Sequence, residues 1–172
     1  FTPCSVEAVS LGDECKELVV RIDGAPPQLA ATALGRGAFA LPVGEREELP
    51  PAEPFEAERY RWLVQPDVAL QKCRLARRAL AGVADLWSEN GYGFAVEEPR
   101  GVLGRVFAIE RIEPFDPRGL RRELRGRGAE LLKHDFPLSG EELARRLGVR
   151  RGGGPRLAFT RIEGRFWTIR LK

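Results

Sequence analysis

Arg118, Arg121, Arg122 and Arg125 recur at spacings of three and four, so on a helix all four guanidinium groups share one face. The chemistry such a row supplies is contact with an anion, phosphate above all; it does not point to a reaction. Lys133 and His134 come next in the chain. Arg161 and Arg165 flank the turn of the last hairpin, beside Phe166 and Trp167, where a ring could stack on a base. The candidate nucleic-acid contacts are therefore Arg118, Arg121, Arg122, Arg125, Lys133, His134, Arg161, Arg165 and Trp167. His134 is the only histidine, which leaves one imidazole as a base for nucleophilic catalysis and excludes a multi-histidine metal site. Its blander reading is a surface histidine in an ion-pair cluster with Lys133 and Asp135. Cys4, Cys15 and Cys73 are odd in number, widely spaced and without a C-x-x-C, the pattern of reduced thiols rather than a disulfide framework or a zinc site. No catalytic residue, cofactor-binding residue or metal ligand is assigned.

The elements that must hold the arginines are legible. Asp116-Pro117 opens a helix, because an Asp at the N-cap accepts a backbone N–H and a Pro at the first helical position loses only an orphan donor. Leu120 and Leu124 give this helix a narrow apolar stripe, and Gly126 and Gly128 around Arg127 end it. Residues 130–133 read as a strand. Ser139-Gly140-Glu141-Glu142 is a capping box that opens a second helix with Leu143 and Leu147 inward.

The chain has 172 residues, 43% hydrophobic and 31% charged, enough for one domain with a good core or for a small domain and part of another. No apolar run reaches about 18 residues and no N-terminal segment has the order of a secretory signal, so the expected location is the cytoplasm. Methionine is absent, even at position 1, which reads as a piece of a longer protein. The net charge of +3 hides an asymmetry: residues 1–64 carry six Lys/Arg against eleven Asp/Glu, and residues 100–172 carry eighteen against nine. The basic part is the better candidate for meeting phosphate.

Residues 5–11 and 15–22 alternate like strands around Gly12-Asp13 and predict a hairpin, with further strands over 28–34 and 38–43. Residues 44–58, rich in proline and glutamate, read as a linker. Residues 60–64 resume order, and Pro66-Asp67 starts a helix to residue 83 with Ala69, Cys73, Ala76 and Leu80 on one face. An irregular loop covers 88–93, a strand 102–112 and a flexible turn 151–155; strands over 157–161 and 166–171 meet at Glu163-Gly164. The fold class is α+β: an N-terminal β-rich hairpin segment, then a small two-layer β-α-β-α-β-β domain with its helices on one sheet face. The expected parts are 1–56, a connecting arm, helix and loop over 57–101, and 102–172.

Several segments in this order resemble the C-terminal part of bacterial class I S-adenosylmethionine-dependent methyltransferases that end in a THUMP-like domain. They are ECKEL (14–18), YRWLVQPDVALQ (60–71), FAIERIEPFDPRGL (107–120), the strand and D/S-x-E-E-L-R-R-x-L helix of 130–147, and LAFTRIEGRFWTI (157–169). The resemblance implies that residues 1–43 are the last strands of a methyltransferase domain or an adjoining module, that 102–172 form the THUMP-like domain, and that the latter helps hold RNA, a tRNA or rRNA. A lysine pair of that family here reads Lys133-His134, followed by Asp135, which removes one fixed positive charge. S-adenosylmethionine is implied for the whole protein by the resemblance only. Gly35-Arg36-Gly37 and Gly152-Gly153-Gly154 lead into no helix and read as turns, not as a cofactor loop.

The expectation is a non-catalytic RNA-binding or substrate-positioning module of a methyltransferase. Its partners would be RNA and a cofactor-binding domain outside this sequence, with no membrane and no metal. The alternative is a protein-interaction or dimerisation module that docks on the catalytic domain through an apolar patch around Tyr60, Trp62 and Trp87. The arginines keep a bland alternative too, a solvated face partly paired with Glu123, Glu141 and Glu142.

Overall fold

A computed structural model describes residues 4–44 and 53–172, a mixed α+β chain built on two sheets. The first sheet contains β1 (Ser5–Leu11), β2 (Glu14–Arg21), β3 (Gln28–Ala33) and β4 (Gly37–Pro42) in the order β2-β1-β3-β4. The expected hairpin pairs β1 with β2 around Gly12 and Asp13, both at positive φ, while β3 runs parallel to β1. Ala8, Ala31 and Ala33 line one face, and their small side chains let the next layer sit close to the strands.

That layer follows β5 (Trp62–Pro66). The single helix expected from Pro66 to residue 83 is instead two short ones, α1 (Val68–Lys72) and α2 (Ala76–Ala79). Arg74 takes a left-handed φ of 54°, and Leu75 N–H donates to the Leu70 carbonyl at 2.8 Å across the break. The break turns Leu70, Leu75, Ala76 and Leu80 into one core with Ala8, Ala31 and Val64. A residue other than glycine holds the left-handed turn, so the composition gave no sign of it.

The second sheet adds β6 (Gly93–Ala95), β7 (Gly104–Pro114), β8 (Gly128–Lys133), β9 (Arg150–Ile162) and β10 (Arg165–Leu171), in the order β6-β5-β7-β10-β9-β8. Between them lie α3 (Pro117–Glu123) and α4 (Gly140–Leu147), so the β-α-β-α-β-β order from β7 is as the sequence predicts. Both helices bury leucines on one sheet face, where Leu120, Leu124, Leu143 and Leu147 meet Leu157 and Phe159. The other face is covered as well. Tyr60, Leu63, Tyr92 and Phe94 pack there on Ile109, Ile162 and Ile169, joined by Phe55, Trp87 and Trp167.

Two further expectations change. The anticipated apolar surface patch does not form, because Tyr60 is buried and Trp87 stands edge-on to Phe55 at 5.0 Å inside this core. The turn anticipated at 151–155 lies within β9. There Gly152, Gly153 and Gly154 all take positive φ and bulge out of the ladder, so that Ala129 pairs with Arg151 and Glu130 with Arg156. Of the anticipated linker, 45–52 lies outside the described residues; Phe55 already packs in the aromatic core, and its N–H donates to Glu163 Oε1 at 3.2 Å.

Candidate nucleic-acid interface

The first turn of α3 is set as the sequence predicts: Asp116 Oδ1 accepts from Arg118 N–H at 3.0 Å, and Pro117 occupies the first helical position. With Leu120 and Leu124 fixed in the core, Arg118, Arg121, Arg122 and Arg125 are left outside. With Asp116 and Gly148 they line an open groove of about 840 Å³. Among the described residues none of these four arginines forms an ion pair. Two of the three acids on α3 and α4 are otherwise engaged: Glu123 pairs with Arg170 of β10 at 2.5 Å, and Glu142 Oε2 accepts the Ser139 N–H at 2.7 Å in the capping box. Glu141 is exposed on α4.

Gly148 has φ 68° and ends α4 in the left-handed cap, where a larger residue would be strained. The Arg121 guanidinium stem passes over it; a Cβ there would stand 3.6 Å from Arg121 Nε. A cation thus sits by the carbonyl end of α4, where the helix dipole favours it. Arg145 and Arg146 are exposed on α4, and Arg150 and Arg151 at the start of β9, so the positive surface extends beyond the groove.

The other anticipated contacts lie apart from the groove. Lys133 is exposed at the end of β8, and Arg165 is exposed at the β9–β10 turn. Arg161 pairs with Asp135 at 3.2 Å. Trp167 is half-buried and turns to the opposite sheet face, its ring 5.1 Å from that of Phe55 and its Nε1 buried, so it stands away from the arginines of α3. His134, expected at the surface, is largely buried. Its ring stands edge-on to Tyr92 at 4.7 Å, and burial pushes its pKa down to about 4, with the charges of Lys133 and Arg105 acting in the same direction and the Asn90 backbone opposing. It is a neutral imidazole at pH 7. Gln65 Oε1 accepts from Arg105 at 3.0 Å, so Gln65 Nε2 donates to His134 Nε2 at 3.2 Å. Gln71 Nε2 stands 2.9 Å from His134 Nδ1, and the Asn90 backbone also bonds the ring.

Sequence reasoning missed what this histidine belongs to. Arg105 also pairs with Asp13 at 3.3 Å; Asp13 pairs with Arg36 at 2.5 Å, and Arg36 with Asp67 at 3.3 Å. The chain of contacts runs from the turns of the first sheet through the N-cap of α1 to the second sheet. Its members are far apart in sequence, and only Asp67 carried a local signal, its position after Pro66. Among the described residues no group of His, Cys, Asp and Glu is placed to hold a metal ion, and no helix is long and apolar enough to cross a membrane. The two glycine runs form a β3–β4 turn and a strand bulge, and neither feeds a helix N-terminus.

Residues 104–172 match the model of a family described as THUMP domain-like. No curated protein matches the chain. Among solved structures the chain is similar to the crystal structure of a putative methyltransferase from Porphyromonas gingivalis W83, with a TM-score of 0.80 and 22% identity. The match covers 98% of this chain and 46% of that one, so the chain spans just under half the length of that relative. At this identity the likeness is one of fold.

Proposed function

We propose that this chain is an RNA-binding module of a methyltransferase and that the groove of α3 is where it meets RNA phosphates. The single observation that carries this is the row of Arg118, Arg121, Arg122 and Arg125, which line one groove with no acid paired to them among the described residues. A solubilising face would be expected to interleave its signs; here Glu123 is drawn away to Arg170. Two further facts support the reading: THUMP domains generally bind RNA, and the fold matches a protein described as a methyltransferase. Chemistry and S-adenosylmethionine binding are assigned to a part of the protein outside these residues, in the cytoplasm of a bacterium.

The test is a salt titration of the purified chain against a tRNA transcript and an rRNA fragment. If all four arginines each neutralise one phosphate, log affinity falls against log salt with a slope of about −3. Micromolar or weaker binding without salt dependence overturns the proposal.

A second reading has its own observation. Leu18, Val20 and Ile22 are 63%, 58% and 67% exposed. Leu18 lies opposite Ala8 and Val20 opposite Val6, on the sheet face that α1 covers. This uncovered edge suits docking against the catalytic part of the protein. Replacing Leu18 and Val20 with serine should abolish any concentration-dependent mass of the isolated chain and leave RNA binding intact.

A further inference from the structure

We infer that the α3 groove takes the sugar-phosphate backbone of double-helical RNA, not unpaired bases. This rests on the RNA-binding reading above and names the form of RNA.

Proteins that hold single strands stack bases on aromatic side chains or arginine planes and read base edges with polar side chains, whereas duplex RNA is recognised through backbone and shape. The groove is lined by Asp116, Gly148 and the four arginines, with no aromatic, hydroxyl or amide side chain among them. The nearby rings are spent on one another. Phe115, Phe136 and Phe159 meet at 5.2–5.8 Å between centroids, and Trp167 is turned into the opposite core. Phe166 is 37% exposed, yet its ring is held edge-on to Phe136 at 5.2 Å.

The cations also extend beyond one helix. Arg118, Arg121 and Arg122 span roughly 6 Å along α3, at about 1.5 Å per residue, and Arg125 follows just past its C-cap. Arg145 and Arg146 are exposed on α4, which packs against α3. Cations carried by two packed helices can meet the phosphates of two strands, where a single row serves one.

Fluorescence anisotropy with the whole chain decides between the forms. The probes are two RNA duplexes of about 16 base pairs with unrelated sequences and an oligouridine of the same length, each between about 50 and about 200 mM salt. The expected result is duplex binding about tenfold tighter than oligouridine and equal within about twofold for the two sequences. Phe166→Leu, which keeps an apolar side chain on Phe136, should leave duplex binding within about twofold of the parent. Oligouridine binding as tightly as the duplexes, a large difference between the two sequences, or loss of affinity in Phe166→Leu overturns the inference while leaving RNA binding in place. Absence of salt-dependent binding by any probe overturns the RNA-binding reading itself.

Discussion

Arg36, in the turn between β3 and β4, reaches Asp67 Oδ2 at 3.3 Å, and Asp67 is the buried N-cap of α1. The same carboxylate accepts from Ser10 Oγ at 2.5 Å and from Ala69 N–H at 2.9 Å through Oδ1. One side chain therefore joins β1, a turn of the first sheet and the start of the helical layer. Removing it with Asp67→Ala deletes a cap, takes the closer acceptor from Ser10 and leaves Arg36 to Asp13 alone, so unfolding free energy should fall by about 2–3 kcal/mol. Asp67→Asn keeps an acceptor for the cap and should lose roughly half as much. Urea unfolding of the three proteins checks the order; equal stability of Asp67→Ala and the parent would remove the carboxylate from the interface.

His134 makes stability depend on pH in a defined direction. Its folded pKa is pushed down to about 4 from an unfolded value of 6.5, so the unfolded chain binds the extra proton between those values. Stability from this group is complete above pH 6.5 and is lost as pH falls toward 4, by at most roughly 3 kcal/mol. The groups facing it are Gln65, Gln71, Tyr92, Lys133, Arg105 and the Asn90 backbone, which alone opposes the shift; among the described residues no carboxylate is bonded to it to reverse the sign. His134→Gln should flatten the difference between urea midpoints at pH 7 and pH 4.5 relative to the parent, with other titrations cancelling in the comparison.

The contrast between α3 and His134 shows which parts of this chain can be read from local pattern. Asp116-Pro117, the Leu120/Leu124 stripe and the Ser139 capping box each act within one helical turn, and all three are found where the sequence puts them. The arginine face follows directly, because fixing two leucines inward fixes the residues between them outward. His134 failed because its environment comes from β5, α1 and the loop before β6, far away in the chain. Trp167 failed for a related reason: strand alternation says that neighbours point to opposite faces, but not that both faces of this sheet are buried. The glycine run was legible as a backbone irregularity and illegible as a bulge, since that depends on the pairing of β8 with β9.

That pairing separates two glycines of the same neighbourhood. Gly128 backs so closely on the Gly152 carbonyl that a Cβ has no place without moving backbone. Gly153 has φ 69° with open space around it. Gly153→Ala should cost about 1 kcal/mol of conformational strain, and Gly128→Ala about 3 kcal/mol or more, because the bulge must shift. Thermal unfolding that ranked the two in the opposite order would mean that the β8–β9 register differs from the one described.

Arg121 and Arg125 allow binding and folding to be separated. Both are exposed and outside any ion pair among the described residues, so Arg121→Ala with Arg125→Ala should change unfolding free energy by no more than about 0.5 kcal/mol. Arg170 is the control on the same layer. It is mostly covered and paired with Glu123 at 2.5 Å, so Arg170→Ala should lower stability by about 1 kcal/mol while leaving the groove arginines in place. In RNA titrations the double variant should weaken every sequence alike and reduce the log–log salt slope by about 0.7–0.9 per arginine, whereas Arg170→Ala, which keeps all four arginines but releases Glu123, should weaken binding less than the double variant. A slope that stayed at the parent value in the double variant would place the phosphate contacts elsewhere on the surface, with Arg145, Arg146, Arg150 and Arg151 the next residues to replace.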